Sequence, residues 1–341
     1  MNKTNLKVLD LTELQTFVAS LGEGSYRARQ IFKWVYGRGV SDFEQMTNLS
    51  KALRQKLAEQ ARIGQLQLVT SQTSAKDQSV KFLFQLEDGL KIESVLMVDN
   101  GRTTLCVSTQ VGCAIDCTFC ATGMMGLQRH LTVGEIVDQL LQVQNQTGQT
   151  VSNVVLMGMG EPFHNYENVI KACDLLSHDL GPNLAKRHIV VSTSGLVPKI
   201  IRYADEGHKY RLAISLNATT DAVRSQLMPL NKKWPIRELM NAARYYTQKS
   251  EQMVTFEYVL MYGINDSAAD AERLKTLVRG MFCKINLIPY NATEGTFRRP
   301  SEAKITRFYE RMASLRAPVT IRWSKGDDIS AGCGQLAIKN N

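Results

Sequence analysis

Apolar positions recur at helical spacing through the first sixty residues. Leu14, Phe17, Val18 and Leu21 share one face behind a Thr12/Gln15 capping pattern. A Gly22-Glu23-Gly24-Ser25 turn leads to a second helix carrying Ile31, Phe32, Val35 and Tyr36, and a third starts at Ser50 with Leu53, Leu57 and Ala61 on one side. Over 64–98 the pattern shortens to period two and brief apolar runs. Val80-Lys81-Phe82-Leu83-Phe84 and Ile92-Glu93-Ser94-Val95-Leu96 flank a Glu87-Asp88-Gly89 turn, which predicts a hairpin. Residues 1–98 are therefore expected to form a small helical-plus-hairpin domain.

From residue 103 strands alternate with helices. Strands are predicted over 103–109, 151–157, 187–193, 210–216, 253–261 and 283–288, and helices over 132–146, 166–179, 195–206, 236–249, 267–279 and 301–315. Thr132 with Glu135 caps the first of these helices. Six successive βα units imply an α/β fold with a parallel sheet covered by helices. Six fall short of the eight that close a standard barrel, so an open, partial (β/α)6 barrel is expected, with its active site at the C-terminal ends of the strands.

The length of 341 residues admits two domains, and 44% apolar and 21% charged residues exclude a disordered or fibrous chain. No apolar run reaches the length of a membrane span. The start Met1-Asn2-Lys3-Thr4-Asn5 leads into no apolar signal region, so a cytoplasmic protein is expected. The net charge of +9 is uneven: residues 295–341 hold nine basic and four acidic side chains. Such a local excess suits a polyanionic partner such as nucleic acid, or an ordinary solvated face.

The seven cysteines carry more information. Cys113, Cys117 and Cys120 stand in the spacing C-x3-C-x2-C directly after the first barrel strand. Three thiolates on a short loop can hold three irons of a 4Fe–4S cluster and leave the fourth open to a small molecule. A structural zinc site asks for four ligands, and the nearest histidine, His130, lies ten residues beyond Cys120. Met157-Gly158-Met159-Gly160-Glu161-Pro162 follows the second strand. Ser192-Thr193-Ser194-Gly195 ends the third, and Ser215-Leu216-Asn217 ends the fourth. These segments set glycine backbone, a carboxylate and hydroxyl or amide groups on one rim. Cys106 lies on the first strand, and Cys333 is flanked by glycines in Gly326-Asp327-Asp328-Ile329-Ser330-Ala331-Gly332-Cys333-Gly334-Gln335-Leu336. Cys173 and Cys283 read as small core residues.

The cysteine loop, with Phe119 before its last cysteine, resembles that of the radical S-adenosylmethionine (SAM) superfamily. With Cys106, Cys333 and Glu93 added, nearly the whole chain resembles the RlmN/Cfr family of RNA adenine methyltransferases. The Gly326-Asp327-Asp328-Ile329 segment is similar to the RlmN side, which methylates adenine C2; the Cfr side methylates C8 and confers antibiotic resistance. A non-catalytic iron–sulfur or zinc RNA-binding protein is the reading from another class.

The resemblance implies a [4Fe–4S] cluster on Cys113, Cys117 and Cys120, and SAM contacts from Gly160, Glu161, Ser192, Ser215, Leu216, Asn217 and Asn291. Many family members have histidine where this chain has Asn217. Two SAM molecules are implied per turnover: one methylates Cys333, and the other yields a 5′-deoxyadenosyl radical that activates the S-methyl group. The methylene carbon adds to adenine, Glu93 accepts a proton, and Cys106 releases the product by forming a transient disulfide with Cys333. Met157 matches a methionine near the substrate, and also reads as a strand-end core residue. The implied partners are 23S rRNA, at the peptidyl-transferase centre, and tRNA, at the adenosine 3′ to the anticodon. An electron donor such as flavodoxin is also implied, and the chain is expected to be a monomer. Residues 99–328 would be the radical SAM core and 329–341 the reactive-cysteine segment. The N-terminal helices, with Arg27 and Arg29, would dock folded RNA, and Arg298, Arg299 and Lys325 are candidates for phosphate contacts.

Overall fold

The computed structural model describes residues 3–99, 101–293 and 295–338. Met1 and Asn2 at the start, and the last three residues of the 329–341 segment, lie outside the described residues. Ten strands form one sheet in which every strand neighbours the next in sequence. They are β1 (Gln67–Thr73), β2 (Val80–Gln85), β3 (Lys91–Asp99), β4 (Arg102–Cys106), β5 (Asn153–Leu156), β6 (Ile189–Thr193), β7 (Arg211–Ser215), β8 (Val254–Leu260), β9 (Cys283–Pro289) and β10 (Val319–Ile321). The ladders β1–β4 are antiparallel and those from β4 to β10 are parallel.

All six predicted barrel strands form, with ends shifted by a few residues. The buried runs of β7 and β8 fit strands covered on both faces. The six predicted helices appear as Val133–Thr147, Tyr166–Ser177, Val197–Asp205, Ile236–Ser250, Ala268–Val278 and Glu302–Arg311. Thr132 and Glu135 make the expected capping box. The seventh parallel strand, β10, was not predicted; three residues show no usable period.

Two features of the N-terminal part differ from the sequence reading. The first helix, Leu11–Ser20, is capped by an Asp10/Glu13 box rather than by Thr12 and Gln15. Thr12 instead lies inside the helix, because Asp10 already supplies the extended cap residue. The second difference concerns the hairpin. β2 and β3 pair as expected, but β3 also pairs with β4 along Val95↔Cys106 to Asp99↔Arg102, so the hairpin belongs to the barrel's own sheet.

The preceding helices are held differently. Lys7 Nζ is ion-paired with Asp138 on the first barrel helix, both side chains being almost fully buried. The second oxygen of Asp138 accepts the Leu66 N–H at 2.7 Å. Breaking such a buried pair leaves an uncompensated charge, so it fixes where the N-terminal segment enters.

Candidate active site

The cysteine loop leaves the end of β4 through a small antiparallel ladder, Gln110–Gly112 against Leu127–His130. Gly112 adopts φ +75°, and a Cβ there would sit 1.7 Å from the Gly126 carbonyl oxygen, so only glycine fits. The loop is tied down by Thr118 N–H to Leu227 O (3.0 Å) and Ala121 N–H to Gly334 O (2.8 Å). The second bond joins the loop to the segment that bears Cys333.

Cys113, Cys117 and Cys120 line one wall of a cleft that encloses about 970 Å³ of space free of protein atoms, part of it open to solvent. Met157, Gly160, Glu161, Ser192, Ser215, Asn217 and Cys333 line the same cleft. Ten of the fourteen site residues expected from sequence are thus brought together at the C-terminal ends of the strands.

Four are not on its wall. The Leu216 side chain is fully buried in the core, and its backbone N–H and carbonyl are bonded to Glu257 O and Arg224 Nε. Asn291 turns to the C-terminal segment, donating to Cys333 O at 3.0 Å. Cys106 lines a second, smaller cavity together with Met157, Cys333 and Arg322. Glu93 is paired with Lys81 (3.3 Å), and its other oxygen accepts the Ala337 N–H (3.0 Å), so it abuts the chain just beyond Cys333. Met157 and Cys333 line both cavities and stand between them.

The rim is held by an internal network. Glu161 accepts the Phe163 N–H at 3.0 Å and the Ser194 N–H at 2.7 Å. Burial raises its carboxyl above the ordinary range, against these bonds, which lower it. Gly160 is left-handed at φ +101°, with its Cα against Gln110, whose Oε1 accepts the Glu161 N–H at 2.7 Å. Asn217, also left-handed, uses its Oδ1 to accept the Val259 N–H at 2.9 Å.

Three charged residues that the sequence reading missed organise the site. Arg224, fully buried on the short helix Asp221–Leu227, donates to Leu216 O (3.0 Å), Ser194 O (2.6 Å) and Ser215 O (3.1 Å). It clamps the ends of β6 and β7. Glu257 on β8 lines the cleft and accepts from Asn286 at 2.9 Å, while its second oxygen is buried without a hydrogen-bond partner among the described residues. Arg322 follows β10. None belongs to a recognisable spacing, so no sequence signal marks them.

Of the phosphate-contact candidates, Arg299 donates to Tyr290 O (2.7 Å) and Asn291 Oδ1 (3.1 Å), and Lys325 pairs with Asp99 (3.2 Å). Arg298 lies over the exposed Tyr262 ring.

An unpaired carboxylate oxygen and three thiols around a cleft are a donor set for a cationic, thiophilic group with a polar ligand. Among the described residues no three His, Cys, Asp or Glu converge as a single ion would require. Burial pushes the Cys113 thiol up to about 12 and raises Cys117 and Cys120 as well. Bound iron would offset that cost, since it is the thiolate that ligates.

A partial parallel barrel whose strand-end cleft carries three cysteines from the first βα loop is the architecture of a radical SAM enzyme. Residues 107–274 match the Radical SAM superfamily, and residues 4–63 match the Ribosomal RNA large subunit methyltransferase N-terminal domain. A radical SAM methyltransferase from Sphaerobacter thermophilus is 47% identical and superposes with a TM-score of 0.93, over 98% of this chain and 99% of that one. The probable dual-specificity RNA methyltransferase RlmN of Geobacillus thermodenitrificans is 48% identical over 97% of this chain and 92% of its own length. The corresponding protein of Thermotoga neapolitana is 46% identical over 98% of both. The chain belongs to the RlmN family of radical SAM RNA methyltransferases. That membership implies SAM and a 4Fe–4S cluster, and the cysteine-lined cleft fits them.

Proposed function

We propose that this chain methylates C2 of an adenine in structured RNA by way of S-methylcysteine at Cys333. What supports the reading is one observation: Cys333 lines the cleft of the three loop cysteines and also the cavity that holds Cys106. A thiol so placed can take up a methyl group on one side and meet a second thiol on the other.

Cys113, Cys117 and Cys120 would hold the cluster, with Gly160, Glu161, Ser192, Ser215 and Asn217 facing SAM. Leu216 and Asn291 would shape that site from behind. When bound, the cluster supplies the electron that converts SAM into a hydrogen-abstracting radical. Two SAM molecules are consumed per turnover, one of them to methylate Cys333. Adenine C2 is neither nucleophilic nor appreciably acidic, which is why a thiol-borne methylene is needed. Glu93 would take the C2 proton once that carbon has added, and the adduct's unpaired electron would be handed back to the electron-donor system by way of the cluster, leaving a closed-shell thioether between Cys333 and C2. Cys106 then attacks the Cys333 sulfur; the S–S bond forms as the S–C bond breaks, and the released carbon takes up a proton. Such a disulfide is transient, and suits a reducing cytoplasm. Met157 lies against both cavities and would pack beside the target base.

The substrates proposed are an adenosine of 23S rRNA and the adenosine 3′ to the anticodon of tRNA, flipped from their stacks to expose C2. A flavodoxin-type donor and a monomeric state complete the reading. The division at 1–98, 99–328 and 329–341 is kept as a functional one: RNA docking, radical core and reactive segment. Among the described residues no helix is long and apolar enough to cross a membrane.

The test is anaerobic incubation of the iron-loaded protein with SAM, a reductant and protein-free 23S rRNA, followed by nucleoside mass spectrometry. 2-Methyladenosine from wild type and none from Cys333→Ala, with iron content and RNA affinity retained, is expected. 8-Methyladenosine would overturn the C2 assignment. Methylation by Cys333→Ala would overturn the mechanism.

A further inference from the structure

Arg322 lies where a positive charge needs a reason. Its backbone N–H is bonded to Leu287 O at 2.8 Å, anchoring the residue beside β9, and its guanidinium reaches Met157 Sδ at 3.6 Å. From there it lines the small cavity with Cys106 and Cys333. Among the described residues no carboxylate makes an ion pair with it. Its strongest electrostatic partner is the Cys333 sulfur, ahead of Glu257 and Cys106. A guanidinium taken out of water needs counter-charge: the Glu257 carboxylate acts on it from outside the cavity, and the groups within the cavity that can ionise against it are the thiols of Cys106 and Cys333.

The same conclusion comes from the Cys106 side. Cys106 is held by β4 between β3 and β5, through Val95↔Cys106 and Cys106↔Val155. The ionisable groups acting on its thiol are Cys333, from the C-terminal segment, and Arg322, from beyond β10. Lys325 lines the cavity too but is engaged with Asp99. Burial and Cys333 both oppose ionisation of Cys106, and together push its thiol up to about 12; Arg322 acts the other way. A neutral thiol is a poor nucleophile toward sulfur.

We propose that Arg322 is a positioning residue for the thiol pair: from the cavity it shares with Cys106 and Cys333, its guanidinium favours ionisation of the Cys106 sulfur as that sulfur attacks Cys333. This rests on the reading of Cys106 and Cys333 as partners. Arg322 remains protonated throughout. The Cys106 thiolate supplies the electron pair of the new S–S bond, and the pair of the broken S–C bond leaves with the carbon. The guanidinium also touches the Met157 sulfur at 3.6 Å.

The experiment compares wild type, Arg322→Met, Arg322→Gln and Arg322→Lys as iron-loaded protein under anaerobic conditions. Exposure to glutathione disulfide, then mass spectrometry, reports whether a Cys106–Cys333 disulfide forms. The rate of Cys106 modification by methyl methanethiosulfonate is then followed against pH. Wild type should form the disulfide. Arg322→Met and Arg322→Gln should slow Cys106 modification at neutral pH about tenfold and move its pH profile upward by about one unit. Arg322→Lys should restore most of the rate, which a purely structural role would not explain. Unchanged rate and profile in both neutral variants, with iron content and melting temperature retained, would overturn the role of Arg322. Failure of wild type to form the disulfide would instead overturn the thiol pair itself. If both neutral variants fail to fold, the lysine variant decides, and a rate at least tenfold below wild type there overturns the charge argument.

Discussion

The Asn291 side-chain amide donates to the backbone carbonyl of Cys333 at 3.0 Å, and Arg299 donates to the Asn291 oxygen at 3.1 Å. An asparagine expected from sequence to face SAM is here a tether for the reactive segment. Gln335 adds a second tether, to Ala292 O at 2.8 Å.

Asn291→Ala should therefore separate two effects. Losing one hydrogen bond costs about 1 kcal/mol, roughly a fivefold change in how often Cys333 is in place. Methyl loading of Cys333, followed by mass spectrometry, should slow by about that factor. Equilibrium SAM binding should change much less.

Replacing any one of Cys113, Cys117 or Cys120 by alanine should remove the bound iron, from about four per chain to a small residue. Iron and sulfide assays and the visible absorption of the reconstituted protein report this. Cys173→Ala and Cys283→Ala, in the core away from the cleft, should keep full iron content.

Arg224 donates to three carbonyls at the ends of β6 and β7, and burial lowers its guanidinium to about 10. Arg224→Met would leave those carbonyls and Asn231 without their donor, at about 1–3 kcal/mol for each group left unpaired. A fall in melting temperature of several degrees is expected, together with weaker SAM binding, since Ser194 and Ser215 would lose their anchor.

Asp270 caps the helix Ala268–Val278 and is bonded to Ser267, Thr219 Oγ1 (2.7 Å) and Arg273 (2.5 Å). Burial works to raise its carboxyl, but the bonds from Ser267, Thr219 and Arg273 outweigh it and hold it below the ordinary value. Its contribution is thus present above the unfolded value, about 3.9, and lost as pH falls through the lower folded value. Asp270→Asn should lose about 1.5–3 kcal/mol at pH 7. The gap to wild type should shrink steadily in melts taken below about pH 4.

The barrel was legible because each strand is a short apolar run bounded by polar caps, and each helix a longer amphipathic stretch. The helix Asp221–Leu227 and the strand Val319–Ile321 were not, being too short to show a period. The cysteine loop was legible because the spacing of three ligands is written locally. Arg224, Glu257 and Arg322 were not, because each is a single charged residue whose partners come from other strands. Leu216 shows the opposite case: adjacency to Ser215 and Asn217 put it in a motif, but just past the end of β7 its side chain is buried in the core.

The continuous sheet limits how this protein could be taken apart. A cut near residue 98 would separate β3 from β4 along a ladder of five residue pairs, Val95↔Cys106 to Asp99↔Arg102. The barrel fragment would then present β4 as an open edge, inviting pairing with other chains and aggregation. Swapping recognition elements between relatives would succeed better with the graft junction near residue 64, ahead of β1, so that the meander travels with the barrel it completes.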